Sequence, residues 1–354
     1  MNANNSAVLP RPPRLFASLK AGFDTVASHV ALILFPVALD LFLWFGPRWS
    51  LGNAARPIID QMRDLSTFTP SDALQAQSFK AGLDAWAAFF HEFNLATALR
   101  TFPVGIPSLM FGEFVSQILS IFQASSPGAA QPQATLQNPI GLPMTTQMPN
   151  MASGVLLFLV FVLVGLVSGA LYFALVARAS LRDESSMTFG QVGWLAGQTL
   201  LLAISWIVLG VMIAVPVTLM IVVLTLISPG IAQIGLFAAI LFLIWILLPL
   251  VFSPHGIFVY RQNALISMLT SARLVRFILP GTGMFVLSVL VISQGLDVLW
   301  SAPPLTSWMM LIGIGGHAFI ATGLLAASFV YYRDAMRFVQ EFLQRTLMAQ
   351  TRTT

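Results

Sequence analysis

"GVLLFLVFVLVGLVSGALYFALVA" (154–177) runs from end to end without a charged side chain. About 20 apolar residues in a helix, each rising 1.5 Å, cross a hydrocarbon core of about 30 Å, so this stretch reads as a membrane span. Five further runs qualify, at 28–46, 196–228, 232–253, 283–299 and 308–330. The run 196–228 is long for one upright crossing and contains Pro216, so a tilt, a kink at that proline or an extension beyond the bilayer is expected.

The whole chain has the same character. Of 354 residues, 57% are hydrophobic and 8% charged, a balance with which a soluble protein cannot cover its surface. The fold class expected is therefore all-α, a polytopic integral membrane protein of about six transmembrane helices. The chain has no cysteine, which excludes disulfides, thiolate metal sites and a cysteine nucleophile. A net charge of +4 follows from arginines in cytoplasmic loops and gives no reason to expect nucleic acid as a partner.

Six spans place Arg11, Arg14, Lys20, Arg178, Arg182, Arg261, Arg273, Arg276, Arg333, Arg337, Arg345 and Arg352 on one side of the membrane. The other side holds Arg48, Arg56, Arg63, Lys80 and Arg100, all in one long loop, and its short turns hold none. The positive-inside rule then puts both termini in the cytoplasm.

That loop, 47–153, is expected to be helical and extracytoplasmic. Within "TPSDALQAQSFKAGLDAWAAFFHEF" (69–93), Thr69 is an N-cap candidate, Pro70 suits the first helical position, and Asp72 follows the cap by three residues. Phe79, Leu83, Trp86, Phe90 and Phe93 then form one helical stripe, expected to pack within the chain. "GIPSLMFGEFVSQILSIFQ" (105–123) is short and carries Glu113, so it reads as interfacial or re-entrant. The uncharged Pro- and Gln-rich stretch 124–152 reads as a flexible tether.

Amphipathic segments precede the first, third and fifth spans, and another, 331–354, follows the sixth; the N-terminal one covers 1–27. In 264–275, Ala264, Met268, Ala272 and Val275 make an apolar stripe, and Asn263, Ser267, Thr270 and Ser271 a polar one. Arg273 and Arg276 flank the apolar face, and Arg333 and Arg337 gather on the polar side of the C-terminal segment; all four are candidate contacts for lipid headgroups.

Catalytic patterns are missing. "FHEF" (90–93) lacks the second histidine of a zinc-protease helix, and no Gly-x-Ser-x-Gly or phosphate-binding Gly-Lys-Ser/Thr loop occurs. "GIGGHA" (313–318) matches a dinucleotide pattern only formally, because it lies inside an apolar run; its glycines, like Gly165 and Gly169, read as sites of close helix packing. A non-enzymatic protein without a cofactor is expected.

What remains is polarity inside the membrane, at Asp40, Gln294, Asp297 and His317. An aspartate at mid-helix costs on the order of 3 kcal/mol to insert, so these groups are expected to face the bundle and to have partners. A structural hydrogen bond is the first expectation, and a proton or substrate path the second. A third is a pigment or haem on His317, since Gly313 one turn earlier would leave room for a macrocycle.

"NALISMLTSARLVRF" (263–277), with its small residues and Leu-Val-Arg end, resembles the segment preceding a span in bacterial six-helix membrane proteins related to the membrane domain associated with glycerophosphoryl diester phosphodiesterases. The likeness covers 177–344, in layout more than in residues. It implies a membrane module of the bacterial cytoplasmic (inner) membrane and carries no activity across, because the phosphodiesterase barrel and its carboxylates are not in this chain. The long outer loop is a departure from that layout. The expected function is to organise lipids or partner proteins, a homo-oligomer included, with small-solute or proton-linked transport as the alternative.

Topology is directly testable in a chain without cysteine. Single cysteines at Ser78, Ser185 and Thr351 should divide, with only position 78 labelled by an impermeant thiol reagent in intact cells. Labelling at 351 would refute the six-span arrangement.

Overall fold

Where the chain is apolar for long enough, it is helical. The computed structural model describes residues 12–66, 73–124, 137–183 and 187–351. Helices among them are α1 (Leu15–Ser28), α2 (Leu34–Phe45), α3 (Gly52–Ser66), α4 (Ala73–Glu92), α5 (Leu109–Ala124), α6 (Met151–Leu181), α7 (Phe189–Ile227), α8 (Pro229–Leu247), α9 (His255–Tyr260), α10 (Ala264–Phe277), α11 (Leu279–Trp300) and α12 (Met310–Thr351). Short 3-10 turns cover Val30–Ile33, Leu95–Leu99 and Leu248–Leu250. Five helices are long and apolar enough to cross a membrane, or six if the bent pair α1 and α2 is one span. Thr69, Pro70, Asp72 and residues 125–136 of the Pro- and Gln-rich stretch lie outside the described residues.

Caps fix several of the helix starts. Asn150 accepts a hydrogen bond from Ser153 N at 2.8 Å to begin α6, and Thr188 with Gln191 forms a capping box at α7. Pro229 takes the first position of α8. α7 continues through Pro216 for 39 residues, about 58 Å at 1.5 Å per residue. α7 and α8 pair as an apolar hairpin whose flanks are largely exposed, with only Thr199 and Leu202 of α7 buried.

The bend comes at His29, where α1 meets the next helical segment at 93°. α1 does not lie alone on a surface, as its amphipathic sequence suggests. It packs along α12, with Gly22 so close that a Cβ there would sit 2.4 Å from the Gly323 carbonyl oxygen and 2.6 Å from Ala327 Cβ. α12 is also longer than its sequence suggests. The sixth apolar run and the C-terminal amphipathic segment form one helix of 42 residues, because nothing near 331 breaks the hydrogen-bond ladder. Ala326, Ala327, Phe329, Tyr331, Tyr332 and Ala335, at the join, are all buried.

α10 buries two of its serines together with part of the expected apolar stripe, Ala264 and Val275, and with Leu274. Ser267 and Ser271 are fully buried, while Leu265, Ile266, Leu269, Arg273 and Arg276 are exposed. The cause lies in the preceding segment. Pro249 and Pro254 bring no N–H to a helical ladder, and the chain between α8 and α9 leaves carbonyls without helical partners. Ser271 Oγ donates to Pro249 O at 2.8 Å and accepts from Phe252 N at 3.1 Å, and Ser267 Oγ donates to Ser253 O. Gln198 Oε1 of α7 accepts from Ala264 N at 2.9 Å. The serines act as backbone partners, and Leu265, Ile266 and Leu269 are left exposed.

The outer loop is partly as expected. α3 and α4 pair, with Leu83 buried against Ala55 and Ile59. The aromatic stripe of α4 is divided, since Phe79 and Trp86 are about half exposed, at 47% and 49%. The described end of the tether is anchored rather than loose: Arg48–Ser50 and Thr145–Gln147 form two short parallel strands, β1 and β2, and Asn138 Nδ2 donates to Trp44 O at 3.2 Å.

If the α1–α12 contact holds the N-terminal segment, Gly22→Val should lower the thermal unfolding midpoint of the purified protein, overpacking costing about 1–3 kcal/mol. Gly82→Ala is the control, because a Cβ there meets nothing within 4 Å. Equal midpoints for the two variants would remove this contact from the account.

Candidate functional site

Trp44 lies at the C-terminal end of α2. Its Nε1 donates to Leu305 O at 3.0 Å, and its ring meets that of Trp308 at 6.4 Å, as in an interfacial aromatic belt. One helical turn inward, about 6 Å, lies Asp40, which is fully buried.

The Asp40 carboxylate is engaged by the start of α5. Oδ1 accepts from Ser108 Oγ and from Met110 N at 3.1 Å, and Oδ2 accepts from Leu109 N at 3.1 Å. A helix begins with N–H groups that have no internal acceptor, and a carboxylate there satisfies them while meeting the positive end of the dipole. Asp40 is thus an N-cap donated from another helix. Glu113, one turn into α5, lines a small pocket of about 40 Å³ with Arg48 and Asn138, and burial raises its carboxyl pKa.

α5 starts this deep because the chain before it descends into the bundle. Residues 94–108 carry an Asn94-capped 3-10 turn and then irregular backbone, with Leu95, Val104 and Ile106 buried. Gly165 and Gly169 of α6 receive this segment and not another helix. A Cβ at Gly165 would lie 2.4 Å from Leu99 O, and one at Gly169 would lie 2.9 Å from Gly105 Cα. Irregular backbone among transmembrane helices is tolerated where protein surrounds it.

His317 and Asp297 do come together. Nδ1 of His317 lies 2.8 Å from Asp297 Oδ1, joining α12 to α11. As a carboxylate only accepts, the Nδ1–H donates. Nε2 is buried and has no hydrogen-bond partner among the described residues. The space that a macrocycle on His317 would need is filled by Trp300 of α11. A Cβ at Gly313 would lie 2.3 Å from the Trp300 carbonyl oxygen, and one at Gly316 would lie 2.7 Å from its ring. Gln294 is exposed and does not join the cluster.

Arg100 is the member that sequence reading missed, having been counted only as a loop cation. Its guanidinium carbon lies 4.3 Å from the centroid of the Phe111 ring, and it forms no direct ion pair with a described residue. Desolvation lowers its pKa, while the Asp40 and Asp297 carboxylates oppose that effect. A lone arginine in the apolar "ATALRTFPVG" (96–105) was the available signal. The cluster therefore contains two carboxylates, a guanidinium and an imidazole, drawn from α2, α11, α12 and the descending loop. Among the described residues, no group of three or more His, Asp or Glu side chains is arranged to hold a metal ion.

The headgroup candidates separate. Arg273 and Arg276 are exposed and pair with no described residue. Arg333 instead bonds its neighbour Asp334, with Nε–Oδ1 at 2.9 Å, and Arg337 faces the N-terminal end of α1 across a shallow groove.

No protein-family profile, curated protein or solved structure matches the chain.

Removing the Asp40 carboxylate should behave as a folding lesion. Asp40→Ala leaves two buried backbone N–H groups and a hydroxyl without an acceptor, at about 3 kcal/mol, and Ser108→Ala should cost about 1 kcal/mol. Unfolding of both variants in detergent checks this. An Asp40→Ala protein as stable as wild type would rule out the capping role.

Proposed function

We propose that this multi-pass protein is non-enzymatic and organises lipids or partner proteins in a bacterial cytoplasmic membrane, with both termini cytoplasmic. The observation that carries this reading is how its polar groups are used. Asp40 is consumed in capping α5, and His317 and Asp297 bond each other. The unpaired arginines of α10, by contrast, stand beside exposed Leu265, Ile266 and Leu269. Cations flanking an apolar surface are what an anionic bilayer surface attracts, at about 1 kcal/mol per arginine.

A second reading, proton-linked or small-solute transport, draws support from Arg100. It adds a positive charge that interacts with both Asp40 and Asp297 and so gives the cluster both signs.

Reconstitution separates the two. With Arg273→Gln and Arg276→Gln combined, the purified protein should retain less anionic lipid by native mass spectrometry, with an ordinary unfolding midpoint. Raised salt should weaken retention by the wild type as well. In liposomes, a solute screen should give no gradient-driven uptake. Uptake that depends on an ion gradient and is abolished by His317→Ala or Asp297→Asn would replace lipid organisation with transport. These positions are chosen over Asp40, whose loss disturbs the start of α5.

A further inference from the structure

At the ends of α6 and α9, two arginines converge on one groove. Arg178 lies in the last turn of α6, and Arg261 caps α9 in the left-handed conformation with φ 50°. Both line a groove of about 500 Å³ that is completed by the start of α7. Neither guanidinium has a hydrogen bond or ion pair with a described residue. Helix C-termini favour cations, which accounts for the sign of each charge. It does not account for two unpaired guanidinium groups facing the same space.

The rest of the groove is of mixed polarity and of ligand size, with Thr188 and Gln191 beside apolar side chains. Phe258, Trp194 and Leu195 form walls, and Asp183 supplies one carboxylate. At the start of α7 the capping box satisfies the N–H groups of Thr188 and Gln191. Further along α7, Leu201 is half exposed and offers a path for hydrocarbon. A cationic mouth opening onto an apolar wall suits one chemistry, an anion joined to an alkyl chain.

The geometry points to a binding site for a single anionic phospholipid, its phosphodiester held between Arg178 and Arg261 and an acyl chain lying against Trp194 and α7. Guanidinium forks match phosphate oxygens in pairs, and the site lies on the arginine-rich side of the membrane. The site rests on the lipid-organising reading and gives it a specific lipid-binding position, separate from the general surface of α10.

Native mass spectrometry of the full chain, with phosphatidylglycerol and phosphatidylcholine supplied together, tests it. Wild-type protein should retain one tightly held phosphatidylglycerol in preference to phosphatidylcholine. Arg178→Gln and Arg261→Gln should each weaken its apparent affinity about five-fold, and the two combined by more than ten-fold. Arg178→Lys with Arg261→Lys should keep part of the binding, which a folding defect would not allow. Excess inorganic phosphate should leave the lipid in place; displacement by phosphate would identify a soluble anion site and overturn the assignment. If wild type holds no phosphatidylglycerol in preference, the lipid-organising reading itself falls. If wild type holds it and the double Gln variant holds it equally well, the groove alone is rejected.

Discussion

Away from water, a backbone N–H or C=O that leaves a helix must find its partner within the protein. That requirement governs each irregular place in this molecule. At the start of α5 the partner is Asp40, reaching across from α2. Between α8 and α10 the partners are Ser267 and Ser271, with Gln198 completing the start of α10. The descending segment 94–108 opens with Asn94, whose side chain accepts from both Trp49 N and Ala96 N. Once these side chains are assigned, the long helices around them need only apolar contact.

How much of this could be read beforehand depended on the range of the interaction. The apolar runs are local properties, and they appear as helices near their expected places. The amphipathic character of α1 was legible too. Long-range partners were not. A serine stripe on an isolated helix reads as a wet face, and only the open carbonyls of Pro249 and Ser253 turn it inward. Gly165 and Gly169 announced a close approach without saying that a loop would make it. Arg100 was visible as a residue, but its neighbours Asp40 and Asp297 lie 60 or more positions away in sequence. At 331 the change of composition suggested a boundary, yet composition alone does not interrupt a helix.

Polar groups inside the bundle therefore divide into two kinds. Asp40, Ser267 and Ser271 repair the backbone, and their substitution disturbs folding whatever the protein does. Asp297, His317 and Arg100 repair no backbone, which makes them the informative positions for function. His317 is held through one nitrogen, while the other is buried without a partner among the described residues. Arg273 and Arg276 likewise pair with no described residue, which sets them apart from the groups that repair the backbone.

The length of α7 carries a consequence for where such a protein can reside. Its uninterrupted apolar run is far longer than a bilayer is thick, and the α7–α8 hairpin has little protein on its outer flanks to shield it. Lipid must then accommodate the mismatch, by a steep tilt of the hairpin or by local thickening, at fractions of a kcal/mol per ångström. The energy of that deformation depends on acyl-chain length. Inserted in a bilayer, such a hairpin would respond to membrane thickness, and two copies sharing one deformed annulus would be drawn together without touching.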